Sequence, residues 1–249
     1  MKSIATRQID WDAWRIIPSR NPPIDLYRRI APVEDWSSII KVELLTNPRV
    51  REMREGLGLV RPEDMSGGAT QNWILAPFTY LNPEGTRFSD GTYGTCFLSE
   101  MFGAALSESI RLREKFLRST AQSSTRLDMR VIKTTVKGMF DDATMLSASE
   151  NDVAHKKFWK ERQRDGCDGV YFHLNSRSNC CCVEAFRPRF LTKATQERHL
   201  TYTWDGQTIV QVYDFLEGKN IDLERLRSDG EVLHIENPLS VGRSSVQSG

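Results

Sequence analysis

Glu108 lies at the edge of a run in which Phe102, Ala105, Leu106, Ile110, Leu112, Phe116 and Leu117 recur at helical spacing. A carboxylate on that border is partly desolvated and costly unless a cation pairs with it. Upstream, the segment Arg87-Phe88-Ser89-Asp90-Gly91-Thr92-Tyr93-Gly94 places a guanidinium beside a turn. Asp90-Gly91 makes that turn, because glycine adopts positive φ without steric cost. Between the two, residues 94–98 are short, apolar and bounded by turn residues, which predicts a buried strand carrying Phe97. Arg29 offers a second guanidinium, in a predicted strand from Leu26 to Ala31. Guanidinium groups match phosphate oxygens with a bidentate fork, and a fixed carboxylate in a dry site stabilises developing positive charge. Each residue alone has a plainer reading: a surface position for Arg29, a turn for Arg87, core for Phe97, and an ion pair to Arg111 or Lys115 for Glu108. Only the joint pattern points to chemistry.

Other catalytic signatures are missing. His155, His173, His199 and His234 are dispersed, with no His-Glu-x-x-His pair for zinc. There is no Gly-x-Ser-x-Gly elbow for acyl transfer. Gly56-Leu57-Gly58 leads to Arg61 where a third glycine is needed, so a nucleotide would not be held by a Rossmann turn or a P-loop. Cys180, Cys181 and Cys182 are consecutive, and alternate residues of a strand face opposite ways, so they are a poor chelate for one tetrahedral metal. With Cys96 and Cys167 they number five, with no Cys-x-x-Cys, and read as small strand residues of a protein in reducing cytoplasm.

The elements that must position these side chains follow from periodicity. Ile4 to Pro23 reads as an irregular lead-in, Val33 to Leu45 and Arg49 to Leu57 as helices, and Trp73 to Tyr80 as either strand or short helix. A helix is predicted over 100–118 and a Val-, Ile- and Thr-rich strand over Met129 to Met139. A charged helix follows from Ala154 to Arg164, then strands at Val170 to Leu174 and Cys181 to Phe186. Thr201 to Val212 predicts a hairpin around Asp205-Gly206. This order lacks the regular alternation of a doubly wound fold and predicts an α+β architecture. At 249 residues the chain is read as a single domain over 1–235, with a core at about 26–190 and a Ser- and Gly-rich disordered tail at 236–249.

Charge narrows the function class. Lys and Arg number 34 against 33 Asp and Glu, a net charge of +1, which argues against a general nucleic-acid binder. Residues 1–14 carry Asp10 and Asp12 and no apolar run, unlike a signal peptide, and no stretch reaches the length of apolar sequence that spans a membrane. A cytoplasmic protein is expected.

The chain resembles the RES domain family, named for its Arg, Glu and Ser positions. The resemblance runs through Trp14-Arg15-Ile16-Ile17-Pro18, Leu26-Tyr27-Arg28-Arg29-Ile30-Ala31 and Leu45-Thr46-Asn47-Pro48-Arg49. It continues at Arg87 to Gly94, at Ala104-Ala105-Leu106-Ser107-Glu108, at Asp168-Gly169-Val170-Tyr171-Phe172 and at Val183-Glu184-Ala185-Phe186-Arg187-Pro188. It implies an ADP-ribosyltransferase-like fold, with small β-sheets flanked by helices around an NAD cleft. It also implies a bacterial NAD-consuming enzyme, such as an NAD phosphorylase, often the toxin of a toxin–antitoxin pair. NAD would be substrate and inorganic phosphate or water the acceptor, without a metal. A small helical antitoxin would occupy the cleft with its C-terminal segment. Arg29 and Arg87 would grip the diphosphate, Phe97 would shape the nicotinamide end and Glu108 would stabilise the ribosyl cation.

Three positions depart from the family pattern. Phe97 stands where the family has Tyr. Leu174 stands where its serine falls, and Ser176, beside Arg177, where a later arginine falls. Ser176 remains a candidate for cofactor binding, since a two-residue slip brings Ser176-Arg177 into register. The alternatives are a protein ADP-ribosyltransferase, or a degenerate domain that binds NAD or a partner without turnover.

Overall fold

A computed structural model of the chain describes residues 4–19, 32–35, 38, 41, 42, 45, 59–64, 71–145, 153–174 and 180–228. Elements are numbered among these residues. The predicted strand at Leu26–Ala31, the predicted helix at Arg49–Leu57, the tail at 236–249, and Arg29 and Ser176 lie outside them.

The architecture is α+β, built on one large sheet. Strands β1 (Thr6–Pro18), β2 (Cys96–Ser99), β3 (Thr125–Asp142), β4 (Gly169–His173), β5 (Cys181–Ala185), β6 (Leu191–Trp204), β7 (Ile209–Asp214) and β8 (Lys219–Asn220) form a single eight-stranded sheet in the order β1-β2-β5-β4-β3-β6-β7-β8. This replaces the small sheets expected from the resemblance. The reason is the length of β3. One edge of it pairs with β1 throughout, from Thr6 opposite Asp141 to Pro18 opposite Met129. Its other edge takes β6 over Thr125–Val136 and then β4 at Asp141–Asp142. One continuous strand thus joins what would otherwise be separate sheets. Because β1 also meets β2 at Trp14 opposite Ser99, hydrogen bonding runs in a circuit through β1, β2, β5, β4, β3 and back to β1.

The lead-in predicted at Ile4–Pro23 is therefore corrected: residues 6–18 are strand β1. Its acidic residues fit the sheet because cations face them on β3, with Asp10 to Lys137 at 2.7 Å and Asp12 to Lys133 at 3.1 Å. Cross-strand pairs of opposite charge are among the contacts that stabilise a sheet.

Helix α1 (Gln71–Thr79) settles the ambiguous apolar stretch in favour of helix, with Ile74, Leu75 and Phe78 buried on one side. These join Ile9, Ala13 and Ile17 of β1, Cys96 and Leu98 of β2, Val136 and Phe140 of β3, Tyr171 of β4, and Val183 and Ala185 of β5 in one cluster. All five strands of the circuit thus bury one face together. Helix α2 (Phe102–Ser119) covers the other part of the sheet. Its Phe102, Ala105, Leu106, Ile110 and Leu117 pack with Trp14, Met129, Val131, Leu200, Tyr202, Trp204 and Ile209. Polar bonds set its position: Tyr202 donates from its hydroxyl to Ser109 Oγ at 3.1 Å, and Glu114 Oε1 accepts the Ile209 N–H at 2.8 Å. Helix α3 (Val153–Arg164) inserts Trp159 beside Phe88, Val170, Phe172 and Cys182, and a short helix α4 (Leu223–Ser228) adds Leu223 and Leu226 to the α2 side.

Gly94 shows how tightly the segment before β2 is held. A Cβ there would fall 2.4 Å from Phe78 Cα and 2.5 Å from the Pro77 carbonyl oxygen. Both are backbone atoms of α1 and cannot rotate away. Gly94→Ala is expected to destabilise the fold by about 3 kcal/mol, the upper range for overpacking. Urea unfolding would show it as a lower midpoint at constant slope, and an unchanged midpoint would contradict the close approach.

Candidate active site

A strand alternates its side chains, so a one-residue change of register would exchange its two faces. In β2 and β5, Cys96, Leu98, Val183 and Ala185 point into the circuit's core. The intervening residues, Phe97 and Glu184, therefore point the other way, and they stand directly opposite each other in the β2–β5 pairing. Val170 of β4 faces Glu184 in turn, and Ser99, Cys182 and Phe172 make the adjacent row. This outward face is covered by Trp159 of α3 and by Phe88 and Tyr93 of the segment 86–93.

Two of the predicted residues meet there, and Glu108 lies near enough for its charge to be felt on β5. Arg87 places its guanidinium carbon 5.6 Å from the ring centre of Phe172. Phe97 lies 6.2 Å from the same ring. Glu108 is 6% exposed on α2 and acts electrostatically on Cys182 and Glu184 of β5, while Arg87 also acts on Glu184. Arg29 and Ser176 lie outside the described residues. Phe97 is half-buried in the aromatic cluster with Phe172, not enclosed in the core. Leu174, where the family pattern has serine, also packs against that cluster.

Glu108 is paired. Arg111 Nε donates to its Oε2 at 2.7 Å and Nη2 to its Oε1 at 2.6 Å, a bidentate fork. The Arg111 side chain is 40% exposed, so the pair leaves α2 with its cation toward solvent and its carboxylate toward the sheet. This is the ion pair anticipated as the plainer reading of Glu108. It also fixes the carboxylate's orientation, leaving a second lone pair on each oxygen.

The segment bearing Arg87 is laced to itself. Thr86 N–H donates to the Ser89 carbonyl at 2.9 Å, Ser89 Oγ to the Tyr93 carbonyl at 2.8 Å and the Tyr93 hydroxyl to the Phe88 carbonyl at 2.6 Å. Asp90 tethers it to α3 by accepting from Lys160 Nζ at 2.7 Å. Burial pushes the Asp90 carboxyl up, but Lys160 and the Thr92 hydroxyl and N–H outweigh it and hold it at about 2.

Sequence reasoning missed the most buried acid of the site. Glu184 is 2% exposed, and its Oε1 accepts from the hydroxyls of Thr86 and of Thr95, the latter at 2.6 Å. Burial pushes this carboxyl up to about 7; the two hydroxyls and Arg87 oppose that shift and the nearby Glu108 charge adds to it. The signal was a single acid inside the apolar run Cys182-Val183-Glu184-Ala185-Phe186. An acid in a strand buried on both faces must have partners, and these are the threonines at both ends of the Arg87 segment.

A separate cavity of about 190 Å³ lies beyond this segment, lined by Val60, Asp64, Phe78, Tyr93, Gly94 and Arg187 among others. Neither Arg87, Phe97 nor Glu108 borders it.

The RES domain family profile matches residues 64–205, a span from just before α1 to the end of β6. The chain belongs to the RES domain family. The RES span contains Arg87, Phe97, Glu108 and Glu184, and begins after β1, which nonetheless pairs with β3 from Met129 to Asp141. The chain is also 34% identical over 209 residues to y4oC of Sinorhizobium fredii (strain NBRC 101917 / NGR234), a protein described as uncharacterized; the match covers 83% of this chain and 89% of y4oC. Among the described residues of this RES protein, no helix is long and apolar enough to cross a membrane.

Proposed function

We propose that this RES protein cleaves the bond between nicotinamide and ribose in NAD and passes the ADP-ribosyl group to phosphate or water. One observation carries the reading: a buried, oriented carboxylate, Glu108, shares a face with a guanidinium, Arg87, and with the aromatic rings of Phe97 and Phe172. Nicotinamide leaves as a neutral molecule with the bonding electron pair, so its departure needs no general acid. The ribose carbon becomes positively charged, and a carboxylate pre-oriented by Arg111 stabilises that charge without reorganising. The acceptor oxygen then bonds to the same carbon and sheds its proton to solvent. Arg87, with Arg29, binds the diphosphate, and Ser176 contributes to cofactor binding. The half-buried ring of Phe97 provides a stacking surface for the nicotinamide.

The family resemblance extends the proposal to a cytoplasmic toxin held inactive by a small helical antitoxin in the NAD cleft. The test is nicotinamide release from NAD by the purified protein, with and without inorganic phosphate, the products weighed by mass spectrometry. Phosphorylated ADP-ribose formed only with phosphate marks a phosphorylase; free ADP-ribose marks a glycohydrolase. NAD binding by calorimetry with no release under either condition would overturn the enzymatic reading in favour of a domain that binds without turnover. Phe97 and Leu174, standing where the family has Tyr and Ser, favour that second reading, since each departure removes a hydroxyl.

A further inference from the structure

We propose that Glu184 is a positioning residue that clamps both ends of the segment 86–95 onto β5 through the Thr86 and Thr95 hydroxyls, and so fixes Arg87 relative to Glu108. The two hydroxyls lie 3.2 Å apart and converge on the same Oε1, so both ends of the segment are held at one point of β5. Thr86 Oγ1 also accepts the Ser89 N–H at 3.1 Å, and Ser89 Oγ accepts the Gly91 N–H at 3.1 Å, which passes the constraint into the turn. Arg87 follows Thr86 directly, so whatever holds the Thr86 side chain sets where the guanidinium starts. Glu184 itself cannot move: it sits in mid-strand, with Phe97 opposite on one side and Val170 on the other.

A threonine pair alone could hydrogen-bond to itself. The acid adds an acceptor common to both and, when protonated, a donor. The charged and titratable groups facing it are Arg87 and Tyr93 on the segment and Glu108 on α2; Cys96 of β2 feels its charge from the other face, and Lys160 of α3 is engaged by Asp90 instead. Burial pushes Glu184 up to about 7, so the clamp holds its proton at pH 6 and loses it by pH 8. The folded state keeps that proton to higher pH than the unfolded chain does. The stability it contributes is therefore present in acid and lost as pH rises from the ordinary carboxylate range through 7. Above 7 the buried charge also faces Glu108, and the segment is expected to loosen.

This inference rests on the NAD-cleaving reading only for the use made of Arg87; the clamp itself is a property of the segment and is tested apart from turnover. Hydrogen exchange read by mass spectrometry on peptides spanning 86–95 would be compared at pH 6 and pH 8, corrected for intrinsic rates. Glu184→Ala is expected to speed exchange there at least tenfold while peptides of β3 and the second half of α2 stay as in the wild type. Glu184→Gln, which keeps the acceptor and cannot ionise, is expected to stay within threefold of wild type at pH 6 and to lack the wild-type loosening at pH 8. If Glu184→Ala does not fold, Thr95→Val takes its place, with the same tenfold expectation. For NAD cleavage, Glu184→Ala should raise KM about tenfold with kcat within threefold, and Glu184→Gln should restore KM and flatten its rise between pH 6 and 8. Wild-type exchange in a folded Glu184→Ala or Thr95→Val protein, or a Glu184→Gln protein as loose as Glu184→Ala, would overturn the clamp. A wild-type protein that releases no nicotinamide yet shows this exchange pattern would leave the clamp standing and remove the NAD reading.

Discussion

Glu108→Gln is expected to slow nicotinamide release about 10²–10³-fold, the range for losing one pre-organised electrostatic group in a dry site. KM for NAD should change little, because the carboxylate's work is done as charge develops on the ribose and not when the substrate docks. Gln has the same shape, and its Oε1 still accepts from Arg111, so the helix keeps its packing. The ion pair it replaces has one partner 40% exposed, so solvent screens part of what the charge adds. Stability should therefore hold while rate falls. The competing view is that Glu108 matters only as the partner of Arg111. Arg111→Met separates the two, since it breaks the pair and leaves the carboxylate in place. On the catalytic reading Arg111→Met loses orientation, costing about tenfold, and Glu108→Gln costs far more. Equal losses in the two variants would assign Glu108 to structure. Turnover by Glu108→Gln at the wild-type rate would end its proposed role.

Much of this site was legible because its parts lie within elements whose periodicity is local. The helix from Phe102 to Ser119 announces itself through its apolar stripe, and Glu108 stands out as an acid on the border of that stripe. The short strands around Phe97, Val170 and Val183 show as apolar runs between turns, and the Asp205-Gly206 hairpin as turn residues between β-prone stretches. Strand β1 was hidden by composition. Asp10 and Asp12 are poor strand formers taken alone. Their partners Lys137 and Lys133 lie more than a hundred residues away, so no local window contains the pairs that make them acceptable. The alternation Ile9, Trp11, Ala13 was present, with Gln8, Asp10 and Asp12 between, and weighing it above composition would have found the strand.

Glu184 was overlooked for a related reason. The pattern marks Cys181 to Phe186 as strand, and a strand can be recognised without asking what its one charged residue does. The physical question was available: an acid flanked on both sides by apolar residues must be satisfied from other elements. Its answer, two threonines at either end of the segment that carries Arg87, needed the register Phe97 opposite Glu184. The single large sheet was likewise beyond local reading, because it depends on β3 being long enough to take β6 and β4 on one edge in succession.

Asp214→Ala is expected to cost about 3–5 kcal/mol of stability, as breaking a buried ion pair from one side does. Asp214 and Arg198 are 1% and 5% exposed, and Arg198 Nη1 donates to Asp214 Oδ2 at 2.7 Å. The guanidinium carbon also sits 4.9 Å from the ring centre of Phe102, the residue that opens the helix carrying Glu108. Its Nε has no hydrogen-bond partner among the described residues, so the pair is already imperfectly satisfied and depends on the single charge contact. Removing the carboxylate leaves a buried cation under an aromatic ring with no compensating charge. Asp214 has a second duty, because its Oδ1 accepts the Leu216 N–H at 2.9 Å at the end of β7. Asp214→Asn keeps that acceptor and removes the charge, so its loss, expected at about 2–3 kcal/mol, isolates the electrostatic part. Adding Arg198→Met to Asp214→Asn should then recover most of it, to within about 1 kcal/mol of wild type, since an apolar side chain on Phe102 needs no counter-ion. Urea unfolding of the wild type, Asp214→Asn, Arg198→Met and the double variant would close the cycle. Arg198 and Asp214 lie on β6 and β7, which neighbour neither β2 nor β5, so activity per folded molecule should be the same in all four. If Asp214→Asn with Arg198→Met is as unstable as Asp214→Ala, the pair supplies packing that methionine cannot, and the argument from unpaired charge fails.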